Sequence, residues 1–278
     1  MKVARFEAFF WWGISIAALG LVIVVLFAIF AFVAVHGMPA LRPSLFLTVT
    51  SGIAGGLANA IVGTILLVFL GLVIAGAIGI GTAIWVVEFA PLWAARCVRF
   101  MTDVLAGVPS IVIGYFLYVV LVQGLGWGFS QLAGGIALAM FVLPYLVRSA
   151  DLALSNVPSG LREAAVALGA RPATTIFSIA VPWAAPGILT GLLVATGIGL
   201  GETAPLIYTA GWSNYMPSLQ PTHSPVGYLT YVVWTYISQP FAASHQLAYA
   251  AALLLMVFVF CTNLLARSYV EYRFGQRR

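Results

Sequence analysis

Long apolar runs separated by short polar interruptions dominate this chain, and their lengths predict six membrane-crossing helices. The runs cover about residues 11–35, 59–87, 104–122, 131–147, 183–205 and 246–266. A helix rises about 1.5 Å per residue, so each run can cross a hydrocarbon core of roughly 30 Å, with the fourth near the lower limit. The first run is too long for the apolar region of a cleaved signal peptide, and the adjacent Lys2 and Arg5 favour an uncleaved anchor. Residues 225–237 are moderately apolar and lie among Pro217, Pro221 and Pro240. Roughly 13 residues cannot cross, so an interfacial or re-entrant helix is expected there. Residues 88–103, with Trp93, Arg96 and Arg99, read as an elbow at the membrane surface.

The polar interruption between the fourth and fifth runs has a pattern of its own. Leu161, Ala164, Ala165 and Leu168 fall at i, i+3, i+4 and i+7, one apolar stripe with small residues at its centre. Such a stripe suits a groove on a partner. Ser159 is placed to cap the helix after Pro158, Glu163 falls in or near the first turn, and Gly169 followed by Arg171-Pro172 ends the element.

Composition agrees with the run lengths. Hydrophobic residues make up 63% of 278 and charged residues 7%, with a mean hydropathy of +1.08. A soluble domain of this make-up would expose large apolar patches, so the expectation is an all-α polytopic membrane protein. No soluble domain, repeat or low-complexity segment interrupts it; residues 1–278 read as a single transmembrane domain with a core at about 59–266.

Charge then sets the orientation. With a cytoplasmic amino terminus, Lys2, Arg5, Arg96, Arg99, Arg148, Arg162, Arg171, Arg267, Arg273, Arg277 and Arg278 lie inside and only Arg42 outside. Eleven of the twelve cations on one side is the positive-inside signature, and it puts both termini and the interruption in the cytoplasm. The formal charge of +5 is therefore topological and gives no reason to invoke nucleic acid. Cys97 in an inner loop and Cys261 within the last run do not suggest a disulfide.

One carboxylate stands out, in Gly201-Glu202-Thr203-Ala204-Pro205-Leu206 near the outer end of the fifth run. An ionisable group costs about 2.5–3.5 kcal/mol at a helix centre and less toward the interface, so Glu202 is expected to face a cavity or a partner. Ala204-Pro205 should break the helix and free backbone groups to line a path. Thr203 and Ser110 can donate hydroxyl hydrogen bonds to an oxyanion or bond their own helix backbone. Gly187 with Gly191, Gly197 with Gly201, and Gly76, Gly79 and Gly81 allow close helix approach, within the chain or to another subunit.

Catalysis by this chain is disfavoured. It has no GxxxxGK[ST] loop to cradle nucleotide phosphates. His36, His223 and His245 fall in outer segments without metal-ligand spacing, so neither a metal centre nor a histidine-activated serine inside a span is expected. A proton-coupled secondary transporter would hold several embedded ionisable residues, whereas only Glu202 is clearly embedded.

The pattern Glu163-Ala164-Ala165, three residues, Gly169, nine residues, then Ile179-Ala180-Val181-Pro182 resembles the EAA loop of the permease subunits of bacterial ABC importers, with Val181 where Leu is usual. That resemblance implies a cytoplasmic loop at about 155–181 whose short helix couples to a separate ATPase through Leu161, Glu163, Ala164, Ala165, Leu168 and Gly169. The GETAPL stretch, Pro186-Gly187-Ile188-Leu189-Thr190-Gly191, residues 106–112 and Ala248-Tyr249-Ala250-Ala251 are similar to the phosphate-importer branch, the PstA-type permeases. The resemblance covers most of the chain from about residue 59. It implies a six-span, type I importer permease (MetI-like) fold in a bacterial cytoplasmic (inner) membrane. The implied partners are a homologous second permease, two copies of an ATPase subunit and an extracytoplasmic phosphate-binding protein. ATP and Mg would be used by the ATPase, with no cofactor bound here. Glu202, Thr203, Pro205 and Ser110 would line the path or gate. The branch commonly carries Arg one turn before this Glu, where Ile198 stands here. Glu202 is therefore expected to act as a gate or inter-subunit counter-ion rather than a phosphate ligand. Another oxyanion such as sulfate or molybdate, or a proton-coupled secondary transporter, is the alternative reading.

Overall fold

The computed structural model describes residues 2–52 and 54–274; Arg277 and Arg278 of the inner cation set lie outside the described residues. Helix α1 (Lys2–Gly37) is apolar all round from Phe10 on, and the most apolar window of its span has no buried residue. It meets the rest of the chain near its end, where Phe32 and His36 pack on Tyr249. A helix with no polar face needs lipid, not protein, around it. A one-turn helix α2 (Pro43–Leu47) and a two-residue antiparallel ladder, β1 (Thr50–Ser51) with β2 (Ala54–Gly55), then lead into the bundle. In that ladder Thr50 lies opposite Gly55 and Ser51 opposite Ala54.

The body consists of α3 (Ala58–Glu88), α4 (Leu92–Ala106), α5 (Ser110–Leu117) prolonged by π-helical turns to Gly124, and α6 (Gln131–Ser155). There follow α7 (Ser159–Ala167), α8 (Pro172–Thr175), a π-helical turn over Ile176–Ala180, α9 (Val181–Gly201) and α10 (Ala204–Thr209). The chain closes with α11 (Leu229–Tyr236) and α12 (Ala242–Phe274). Among the described residues, Phe10–Ala40, Ala58–Glu88, Gln131–Ser155, Pro172–Gly201 and Ala242–Leu265 are long and apolar enough to cross, and a bent pair, α4 with α5, makes a sixth.

Two spans differ from the hydropathy reading. The third run, 104–122, is not one helix: α4 ends at Ala106, and α5 leaves at 97° after Gly107-Val108-Pro109. Pro109 lacks an N–H and holds Val108 out of the helical region, so the helix stops although both sides are apolar. The elbow expected at 88–103 is this α4. The fifth run, expected from residue 183, begins at Pro172, because the π-helical turn carries α8 into α9 without a gap. The piece expected at 225–237 contains the eight-residue α11, which buries Leu229, Val232 and Tyr236 against α12 and α3.

Small residues bring the central helices together. Gly71 of α3 faces Leu138 of α6, and Gly135 of α6 faces Leu70 of α3, so neither site has room for a side chain. On the other side of α6, Gly187 and Gly191 of α9 lie against Ala153 and Ser149, and the Ser149 hydroxyl donates to the Gly187 carbonyl at 3.1 Å. Gly79 meets Leu146, Gly76 meets Leu192, and Gly197 meets Asn263 and Val259. These glycines therefore pack within the chain, while Gly81 and Gly201 meet open space.

At the end opposite α7, fully buried Asn59 holds the loops in place. Its Oδ1 accepts from Thr50 N–H at 3.0 Å, and its Nδ2 donates to Thr50 Oγ1 and the Ser213 carbonyl, both at 2.9 Å.

Candidate functional site

Two places gather the residues singled out by the sequence: the surface of α7, and the break between α9 and α10.

Pro158, not Ser159, occupies the N-cap of α7, with φ −55° and ψ 131°; Ser159 is the first helical residue and makes no capping bond. Proline's fixed φ and missing N–H suit the start of a helix, which displaces the expected hydroxyl cap by one position. Glu163 consequently lies just past the first turn. At the other end, Gly169 N–H donates to Val166 at 2.9 Å and Ala170 N–H to Ala165 at 3.0 Å, with Gly169 at φ +76°. That is a Schellman closure, and it needs a left-handed residue at this position.

The stripe divides when placed in three dimensions. Ala165 is 4% exposed and faces the chain itself, whereas Leu161, Ala164 and Leu168 are exposed, Leu168 at 88%. Val166 is also exposed, and Glu163 joins neither of the ion pairs found among the described residues. The surface left for a partner is thus an apolar group flanked by a free carboxylate.

Arg162, on the inward side of α7, was read from sequence only as an inner cation. Its guanidinium bonds Glu88 at 2.8 and 3.3 Å, at the end of α3, and donates to the carbonyls of Leu154 at 3.0 Å and Val157 at 2.8 Å, where α6 ends. Carbonyls at a helix end lack intrahelical partners, so Arg162 caps α6 while pairing with α3. A second pair joins Arg99 of α4 to Asp151 of α6 through two bonds at 2.7 and 2.8 Å, with Ser155 Oγ donating to Asp151 at 3.3 Å. The available signal was an isolated acid just beyond each of two apolar runs, Glu88 after the second and Asp151 after the fourth.

The second place lies within the bundle. Helix α9 stops at Gly201, Glu202 is extended at φ −74° and ψ 134°, and α10 resumes at Ala204. The break therefore falls at Glu202-Thr203, two residues before the expected Ala204-Pro205. Pro205 sits in the first turn of α10, where its missing N–H removes no helical bond. Glu202 also lies deeper than its place near the end of the run suggested. It lines a narrow cavity of about 10 Å³ with Val68 and Leu138, well inside α3 and α6. Such a space holds about one water and no oxyanion.

The structure brings Ser110 to this carboxylate: the Ser110 side chain, at the start of α5, interacts with the Glu202 carboxyl group. Thr230 of α11 donates its hydroxyl to the Glu202 carbonyl at 2.8 Å, so the broken backbone is anchored from a third element. Gly114, one turn beyond Ser110, lies so near Pro205 that a Cβ there would approach the Pro205 Cα to 2.5 Å. Ser110, Glu202 and Pro205 are thus neighbours; Thr203 is half-buried beside them, its carbonyl accepting from Leu206 and Ile207 N–H. Ile198 packs among Ala75, Ala139, Val142 and Ala195, and no cation pairs with Glu202 among the described residues. Nor do these residues gather a His, Cys, Asp or Glu group able to hold a metal. His36 and His245 bond the carbonyls of Phe32 and Gln239.

Residues 75–271 match the family described as binding-protein-dependent transport system inner membrane component. The chain is 42% identical over 249 residues to the phosphate transport system permease protein PstA 2 of Mycobacterium bovis, covering 90% of this chain and 83% of that protein. It is 38% identical over 240 residues to the phosphate transport system permease protein PstA of Haemophilus influenzae, covering 85% and 84%. Among solved structures, a chain of the inward-facing MetNI methionine ABC transporter in its CY5 native crystal form aligns with a TM-score of 0.65 and 18% identity, covering 78% of this chain and 95% of that one. That likeness shows the fold alone, that of MetI-type permeases.

Proposed function

From its membership of the binding-protein-dependent transport system inner membrane component family, we propose that this multi-pass inner-membrane chain is the permease subunit of an ATP-driven importer of inorganic phosphate. It is a transport component, not an enzyme, and works within an ABC transporter complex. The observation that carries the importer reading is α7, a short helix with Leu161, Ala164 and Leu168 exposed and its inner face fixed to two spans. Phosphate is supported by the relatives at 38–42% identity over most of the chain.

In this reading both termini and α7 are cytoplasmic. The partners are a homologous second permease, two copies of an ATPase subunit that binds ATP and Mg, and an extracytoplasmic phosphate-binding protein. The ATPase pair closes on ATP, moves α7, and the spans swing about the interface with the sibling permease to open a path inward. Glu202 acts at the gate instead of holding the anion. At about 4 Å and an effective dielectric near 20, a carboxylate and a singly charged phosphate repel by about 4 kcal/mol. The close approach of Gly114 to Pro205 and the broken backbone at Glu202-Thr203 suit a closed gate whose parts separate when the spans move.

The test is uptake of labelled phosphate by cells lacking only this gene, with and without the gene restored, under excess sulfate or molybdate and after ATP depletion. Restored, ATP-dependent uptake insensitive to the competitors is the expected outcome. A membrane-inserted protein with its native partners present and no restored uptake would overturn the phosphate reading.

A further inference from the structure

We propose that the Arg162–Glu88 and Arg99–Asp151 pairs form the mechanical link that carries displacement of α7 to the close crossing of α5 and α10 at Gly114 and Pro205, beside Glu202. The inference rests on the importer reading and adds to it the parts that join the docking surface to the gate.

Arg162 is the only side chain of α7 for which both an ion pair and carbonyl contacts to other helices are found among the described residues. Its exposure is 24% and that of Glu88 is 11%, so the pair is shielded enough from water to hold one geometry. A nine-residue helix joined to its neighbours by loops alone could tilt without moving the bundle. Arg162 prevents this by gripping α3 at Glu88, the end of α6 at Leu154 and the connecting Val157 with one planar group.

The end of α6 is also where the second pair attaches. Asp151 lies one turn before Ser155, is nearly buried, and takes both guanidinium bonds of Arg99 from α4. Movement of the α6 end is thereby passed to α4. Helix α4 is joined to α5 by three residues at a 97° bend, and α5 begins with Ser110 and lays Gly114 against Pro205, three residues past Glu202. A bent pair works as a lever: rotation of α4 shifts the start of α5 relative to α9. Gly114 against Pro205 holds α5 close to α10 just past the α9 break, so a small rotation of α5 is felt directly beside Glu202.

A route of contacts is evidence of connection, and coupling has to be measured. The experiment uses the complete complex, purified with its native ATPase and sibling permease and reconstituted in vesicles with the binding protein. Uptake per ATP hydrolysed is measured for wild type, Glu88→Gln, Arg162→Gln, the double variant and Asp151→Asn, and copurification of the ATPase is scored for each. The expected result is normal copurification, continued ATP hydrolysis, and uptake per ATP lowered roughly 2- to 30-fold in each single variant. The double variant should be no worse than Arg162→Gln alone, because the two residues act as one unit. Glu88→Asp, which keeps the charge, should recover part of the loss.

Unchanged uptake per ATP in the single variants, or additive losses in the double, would overturn the proposal. So would loss of ATPase copurification, which would make the pairs part of the docking surface rather than a link behind it. A wild-type complex without ATP-dependent phosphate uptake would defeat the importer reading instead.

Discussion

Gly169 offers the most direct test of how α7 is shaped for a partner. Its φ of +76° places it in the left-handed region, while a Cβ built there meets nothing within 4 Å. Bulk inside the chain is therefore irrelevant, and a substitution acts through backbone conformation. A residue with a Cβ loses roughly 1–2 kcal/mol in this region, Asn less because its short polar side chain bonds locally, and a β-branched residue more. Each 1.4 kcal/mol is about a tenfold change in the ratio of closed to unwound ends. Unwinding releases the Gly169–Val166 and Ala170–Ala165 bonds and lets Leu168, 88% exposed, leave its place. Uptake per ATP hydrolysed in reconstituted vesicles should thus stay near wild type in Gly169→Asn. It should fall several-fold in Gly169→Ala and about tenfold or more in Gly169→Val, with ATPase copurification weakening in the same order. Equal damage by Asn and Val would refute the backbone account, since side-chain bulk against the partner would then be the cause. A harmless Gly169→Val would refute it equally.

Two further outcomes follow from buried contacts. Glu202→Gln keeps the side chain's size and leaves the Thr230 bond to the backbone carbonyl intact, so the complex should assemble while coupled uptake falls; unaltered uptake by assembled complexes would refute a gating role. Asn59→Leu strips the partner from the buried Thr50 N–H, at a cost of about 1–3 kcal/mol. A lower thermal unfolding midpoint of the detergent-purified protein is expected, and an unchanged midpoint would show that the Asn59 bonds do not hold the loops to α3.

The amino-acid sequence by itself determined which segments cross. Insertion into lipid is close to a sum over consecutive residues, so 59–87 and 131–147 could be located without knowing their neighbours, and the structure has Ala58–Glu88 and Gln131–Ser155 there. The EAA pattern was equally legible, because a short helix with fixed ends is local information, and the family comparison finds the same kinship. Hydropathy could not show the bend between α4 and α5, since both arms are apolar and only Pro109 marks it. The proline rule also misplaced the break beyond α9, because Pro205 is as well suited to beginning α10 as to ending α9. The tertiary structure alone decided which residues meet. Arg99 and Asp151 are 52 positions apart and Glu88 and Arg162 are 74 apart, so their pairing depends on α4 and α7 packing against the ends of α3 and α6. The same holds for Ser110 beside Glu202 and for Ala165 turning inward: a stripe fixes which residues share a face, and only packing determines what that face meets.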